Sequence, residues 1–218
     1  VKTDKVEGKL DYYFILSPKS NFNLTLGVTD VRQDFDSSIF QILDNNTTEN
    51  FNENNLINRV NFRFQDAYTA LHYRFIKGIF TFDPGVTLHY YKTTTDQVNG
   101  IVSDSYSFFR PDFRVLMKLK ESETLRLIFR STRQFTDINN LAEGFIFRNY
   151  NSFFRGNPNL EAAFFNVVNL NYQSINIFNF TNIFANLSYS RRDNAIQNTT
   201  AVQGINSVRS ATNSDFPR

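Results

Sequence analysis

Apolar and polar residues alternate with period two along most of this chain, in segments of about ten residues set off by polar punctuation. Phe109, Pro111, Phe113, Val115 and Met117 share one parity, against Phe108, Arg110, Asp112, Arg114, Leu116 and Lys118 on the other. The following segment repeats the pattern, with Leu125, Leu127 and Phe129 against Arg126, Ile128 and Arg130. Successive side chains of a strand point to opposite faces, so each segment has one apolar face and one face that carries its charge. Read throughout, the pattern predicts eight strands near 6–17, 22–34, 58–75, 79–93, 105–119, 123–134, 160–174 and 178–193. The predicted connections alternate. Tight turns fall at Ser17–Ser20, Ile76–Gly78, Lys120–Ser122 and Ser174–Asn176, and long polar loops at 35–57, 94–104 and 135–159. Short turns at one end and long loops at the other are the arrangement of an outer-membrane barrel, whose long loops face outside.

Charges set the register of the hairpin formed by the fifth and sixth strands. Placing Asp112 opposite Arg130 also sets Phe113 against Phe129, Val115 against Leu127 and Met117 against Leu125, whereas a two-residue slip opposes Arg114 to Arg130 and Lys118 to Arg126. The first register is predicted. In the third strand the apolar parity changes between Val60-Phe62-Phe64 and Ala67-Thr69-Leu71-Tyr73-Phe75, which predicts a β-bulge near Gln65 and Asp66. Pro84, with Gly85, and Pro111 interrupt strand segments, and a bulge or local break in pairing is expected at each proline.

Composition agrees with strands. The 218 residues include 25 Phe and 10 Tyr, one Met, and neither Cys nor Trp. The longest apolar runs fall far short of the roughly 20 residues of a spanning helix, so any crossing is made by strands. A net charge of +2 without a basic run gives no footprint for nucleic acid. Without Cys there is no thiolate metal site, disulfide or thiol nucleophile. His72 and His89 are the only histidines; pairing through a turn at Lys77 sets them roughly 25 Å apart at 3.4 Å per residue, too far to share a metal. No phosphate loop or nucleophile elbow is present, so neither catalysis nor a cofactor is expected.

Several runs in the second half carry a family resemblance. Arg130-Ser131-Thr132-Arg133-Gln134-Phe135, Ile138-Asn139-Asn140-Leu141 and the loop motif Gly156-Asn157-Pro158-Asn159-Leu160 are followed by Val168-Asn169-Leu170-Asn171-Tyr172 and Leu187-Ser188-Tyr189-Ser190. In that order they resemble the C-terminal barrel of TonB-dependent receptors, especially the related outer-membrane β-barrel family of Bacteroidota. Where that family has Lys-Pro-Glu after the motif, this chain has Glu161-Ala162-Ala163. The resemblance implies a barrel of roughly 22 strands with a plug in its lumen, energised through TonB. Residues 1–218 are then expected to be an interior piece of the barrel: an all-β, antiparallel, up-and-down transmembrane segment. Val1-Lys2-Thr3-Asp4-Lys5 is not a signal peptide, no plug is recognisable, and Ser214-Asp215-Phe216-Pro217-Arg218 reads as loop.

On this reading Arg110, Asp112, Arg114, Arg126 and Arg130 face a wet lumen, because a mid-bilayer arginine on the lipid side costs about 2–4 kcal/mol. There they can meet one another, the plug or water. Tyr12, Tyr73, Tyr90, Tyr172 and Tyr189 fit aromatic girdles at the membrane interfaces. Arg148, Tyr150, Asn151 and Arg155, with Phe153 and Phe154, are candidate ligand contacts in the long loop 135–159, or pack loop against loop to close the barrel mouth. The expected partners are outer-membrane lipid, a plug and the TonB system from other parts of the protein, and a small-molecule or oligomeric nutrient such as a glycan, siderophore or peptide. The rival readings are a soluble all-β ligand- or carbohydrate-binding module, which would bury its apolar face, and an outer-membrane barrel with no transport activity, including a barrel enzyme or an assembly component.

Overall fold

The computed structural model describes residues 1–50, 56–178 and 180–214; of the predicted terminal loop, 215–218 lie outside the described residues. Eight antiparallel strands form one sheet in the order β1 (Lys2–Ser17), β2 (Ser20–Ser38), β5 (Ile57–Lys77), β6 (Phe80–Gln97), β7 (Gly100–Lys120), β8 (Glu123–Gln134), β11 (Ala163–Asn176) and β12 (Thr181–Asp193). Each strand thus pairs with its predecessor in that order, the up-and-down topology predicted. Residues as far apart as Glu7 on β1 and Thr132 on β8 line one cavity, so the sheet is strongly concave. Among the described residues β1 and β12 are its open edges. Two small sheets sit at the loop end, a hairpin of β3 (Phe40–Ile42) with β4 (Thr48–Asn50) and a four-stranded sheet. The latter runs β13 (Ala195–Gln203), β14 (Asn206–Ser214), β10 (Ser152–Arg155), β9 (Phe145–Asn149).

The outward face carries an apolar belt. On β5 it runs from Phe75 through Tyr73, Leu71 and Thr69 to Ala67, roughly 26 Å of strand at 3.3 Å per residue, a length a tilted strand needs to cross a bilayer. Leu24, Leu26 and Val28 continue it on β2, and Val86, Leu88 and Tyr90 on β6, all solvent-exposed. At its lower margin Phe22, Tyr73, Phe75, Phe82 and Phe80 stack in sequence at 4.5, 5.3, 4.9 and 5.6 Å, a girdle at the short-turn end. Above the belt the same face turns ionic. Arg63 donates two hydrogen bonds to Asp30, at 3.0 and 2.7 Å, which hold that carboxyl below its ordinary value.

Asp112 lies opposite Arg130, Phe113 opposite Phe129, Val115 opposite Leu127 and Met117 opposite Leu125, as predicted. Both prolines break pairing on one side only. The β5 ladder skips from His72–Gly85 to Phe75–Phe82, passing over Pro84, while the β7 ladder runs through it. The ladder between β7 and β8 has Asp112–Arg130 as its uppermost pair, directly below Pro111. Proline has no N–H to give to a ladder.

Three expectations are corrected. No bulge exists at Gln65 and Asp66, where both neighbouring ladders run unshifted. Val60 and Phe62 instead lie on the concave face, beneath a loop that buries them. The predicted long loop 94–104 is a tight turn at Val98-Asn99, because β6 and β7 continue past the membrane as paired polar strands. Residues 195–214, not predicted as structure, form a hairpin that joins β10 through a parallel pair.

Candidate functional site

The most buried apolar cluster of the described residues lies at the barrel mouth. Val60 and Phe62 from the wall meet Ile138, Leu141 and Ala142 from the loop between β8 and β9, with Phe35, Phe64, Ile146 and Leu160 packed around them. Burying each large side chain stabilises the loop by about 1.5–3 kcal/mol, so the long loop folds inward onto the wall and not out into solvent. A 3₁₀ turn at Ile138–Asn140 starts it.

Two side-chain amides fasten the loop where no ladder can. The Asn58 Oδ1 accepts from the Gly144 N–H at 2.8 Å, and its Nδ2 donates to Ser37 Oγ at 3.0 Å and Phe145 O at 3.3 Å. Gln97 donates to Leu141 O at 3.0 Å and accepts from the Glu143 N–H at 3.2 Å. The Gly156–Leu160 motif is the second half of this strap. Gly156 N–H donates to Ala142 O at 2.8 Å and Asn157 N–H to Asn140 O at 2.6 Å, and Asn157 Nδ2 reaches Ala211 O of β14 at 3.3 Å. Since Asn58 is only 3% exposed, Asn58→Ala leaves buried Gly144 N–H without its acceptor. That costs about 1–3 kcal/mol and should appear as faster protease cleavage between residues 135 and 162 while the barrel itself stays folded.

The strap encloses a half-open cavity of about 510 Å³ at the mouth, between the upper ends of β6 and β7 and the loop; Thr93, Asp104, Tyr106, Phe135, Glu161 and Phe164 are among its lining residues. Arg133 also lines it. Its guanidinium lies 4.9, 4.3 and 4.2 Å from the ring centres of Tyr106, Phe108 and Phe164. The arginine reaches those rings in the region above Pro111, where β7 and β8 no longer pair while β8 stays paired to β11 up to Gln134–Ala163. Tyr91 and Phe135 close the aromatic floor, with centroids 5.0 Å apart.

Below the mouth, Arg110, Asp112 and Arg130 line a second cavity of about 510 Å³ on the concave face, with Arg114 and Arg126 of the same parity lower on β7 and β8. Phe109, Phe113 and Phe129 are on the other face. Asp112 does not pair with Arg130 despite lying opposite it; it meets His72 Nε2 at 3.1 Å. Gly85 makes room for that ring, since a Cβ there would collide with it. His89 stacks between Tyr91 and Phe108, at 5.1 and 5.3 Å, and its Nδ1 meets Asp66 at 3.0 Å. The two histidines are closer than the roughly 25 Å predicted. His72 sits opposite Gly85, four residues from His89, or about 13 Å along the strand. That still exceeds the span of one metal ion, and among the described residues no three His, Asp or Glu side chains gather to hold one.

The four predicted loop residues gather in the small sheet, away from the mouth cavity. Arg148 lies over Phe154 at 5.1 Å, and Arg155 lies over Phe145 at 5.6 Å while its Nε donates to Glu143 O at 3.0 Å. The carbonyl of Asn151, a residue at φ 66°, accepts from Ser207 N–H at 2.8 Å, and Tyr150 projects with 84% exposure. Arg133, Tyr106 and Phe135 were not among the predicted contacts. A signal was present in the parity: Arg133 shares that of Leu125, Leu127 and Phe129, where an arginine has no place on a lipid face.

No curated protein matches the chain. Solved structures do. The copper transporter OprC superposes with a TM-score of 0.69 at 11% identity, over 98% of this chain and 33% of its own length. The hemophore receptor HasR of Serratia marcescens, solved with its hemophore HasA and heme, gives 0.64 at 13% identity, over 97% and 37%. The alcaligin outer-membrane receptor FauA from Bordetella pertussis gives 0.55 at 15% identity, over 97% and 33%. This chain therefore spans about a third of the length of the structures it resembles, and at these identities the likeness is one of fold. An outward apolar belt, a charged concave face and this shared fold agree with a family model that matches residues 1–215: the chain belongs to the outer membrane protein beta-barrel family.

Proposed function

We propose that this chain forms barrel wall and mouth of an outer-membrane receptor that takes up a nutrient in a TonB-driven manner, with a plug supplied by other parts of the protein. The observation that carries the reading is the inward-folded strap. A loop fastened to the wall by Asn58, Gln97 and Gly156 shapes a vestibule at the outer end of a polar passage, which a barrel serving only as an anchor does not need. The solved neighbours, described as a copper transporter, a hemophore receptor and an alcaligin receptor, support transport as the class. The cargo is a small-molecule or oligomeric nutrient, a glycan, siderophore or peptide. Arg110, Arg114, Arg126 and Arg130 serve as lumen wall facing plug or cargo, and Tyr150 as an outer contact.

The test deletes residues 136–160 from the full-length protein. The variant is expected to reach the outer membrane and stay heat-modifiable on gels. It should reproduce the growth defect of both the gene deletion and a TonB-deficient strain when single nutrients are made limiting. A gene deletion that grows like wild type on every nutrient, or a defect independent of TonB, would leave a barrel without this transport role.

A further inference from the structure

We propose that the mouth cavity binds a small carboxylate-bearing ligand with a flat apolar body, anchored by Arg133. The site deepens the uptake reading, on which it rests for its biological purpose, but binding here does not require transport.

A guanidinium carries five N–H donors and attracts a planar two-oxygen acceptor. At Arg133 those donors have no protein acceptor among the described residues: Nε is buried without a partner, and no carboxylate lies within ion-pair distance. The nearby carboxylate of Glu161 is engaged elsewhere, accepting from Asn194 Nδ2 at 3.1 Å. Its backbone is held by Asn213, which donates to Glu161 O and accepts from its N–H, both at 2.9 Å. The three rings around the guanidinium hold it by cation–π attraction of about 0.5–2 kcal/mol each, and they occupy its faces without satisfying its edges. A cation fixed in place and lacking hydrogen-bond acceptors is complementary to an anion from outside. Tyr106 and Phe135 in the lining, the latter backed by buried Tyr91, supply the apolar contact that such a ligand also needs.

The wall below continues the same chemistry. Arg130 and Arg110, then Arg114, then Arg126 descend along the concave side of β7 and β8 from the mouth toward the turn at Glu121-Ser122. None of the four has an ion-pair partner among the described residues, since Asp112 is taken by His72. An anion released from Arg133 meets four arginines on the way down, with Asp112 and Asp66, each engaged by a histidine, in the cavity that Arg110 and Arg130 line.

The experiment uses the full-length protein in detergent micelles, with benzoate as probe and benzamide as its uncharged counterpart, followed by saturation-transfer NMR and titration. Benzoate is expected to bind at least tenfold more tightly than benzamide. Arg133→Gln should lose at least tenfold in benzoate affinity, Arg133→Lys should lose less, and the surface control Arg191→Gln should change nothing. Thr95→Phe, which narrows the cavity and leaves Arg133 in place, should weaken benzoate binding at least tenfold with heat-modifiability intact; this keeps the test valid if Arg133→Gln misfolds. Absence of benzoate binding to the wild type overturns the proposal, as does equal affinity for both probes or benzoate affinity unchanged by Thr95→Phe. Growth assays separate the two readings. Binding without nutrient-dependent growth sinks transport and spares the site, and the reverse sinks the site alone.

Discussion

Leu71→Arg is expected to destabilise the protein in a bilayer by about 2–4 kcal/mol. Leu71 stands mid-belt on the outward face, between Leu24 of β2 and Val86 of β6, and is 45% exposed although it is a leucine. In water such exposure would be a liability; in hydrocarbon it is the solvated state of that side chain. A guanidinium at the same place must either leave water or drag the headgroups inward. Removing an arginine from the concave face has no such cost, so Arg126→Leu should change stability by no more than about 0.5 kcal/mol. Urea unfolding of the full-length protein in lipid vesicles measures both. Equal effects of the two substitutions would show that the two faces do not differ in solvent.

The second large effect is expected at Gly156. A Cβ there would lie 2.5 Å from Asn140 O and 2.7 Å from both N and O of Ala142. All three are backbone atoms of the strap, and they cannot rotate away as a side chain can. Gly156→Val must therefore separate the motif from residues 140–142, breaking the Gly156 and Asn157 hydrogen bonds and uncovering Val60 and Phe62. Overpacking of this kind costs about 1–3 kcal/mol, and the lost pairing adds to it. The barrel strands do not depend on that contact. The expected signature is selective: rapid proteolysis within 135–162 in intact outer membranes, loss of any probe binding at the mouth, and unchanged heat-modifiability. A variant whose loop stays protected would show that the motif is not the fastening.

The belt was legible in the sequence because lipid imposes one rule along every strand, so alternation in β5 or β7 names the face directly. The register of β7 and β8 was legible because Asp112, Arg130, Phe113 and Phe129 constrain it together. Beyond the membrane that rule lapses. The outward face of the upper strands meets water in place of lipid, and the polar run 94–104 is as compatible with a ladder as with a loop, which is why β6 and β7 were predicted too short. The parity change at Val60 misled for a different reason. Apolar residues on the concave face were explained locally by a bulge, whereas their cover, Ile138 to Ala142, lies far away along the chain and only the fold brings it there. Arg133 was hidden likewise, since its ring partners come from β7 and β11. Arg148 and Arg155 lie in the small sheet, over Phe154 and Phe145, and those aromatic neighbours are too close in sequence for exposure to follow from a loop assignment.

The interruption beside Pro111 bears on how such a protein can diversify. One missing amide proton ends the β7–β8 ladder at the level of mid-belt Val86 and Leu71, while β7 stays paired to β6 and β8 to β11 above it. The position of that proline along β7 therefore sets where the seam between these two strands begins, and above it Arg133 reaches the rings of Tyr106 and Phe108. Descendants could alter what is gripped above it without renegotiating how the wall is built below.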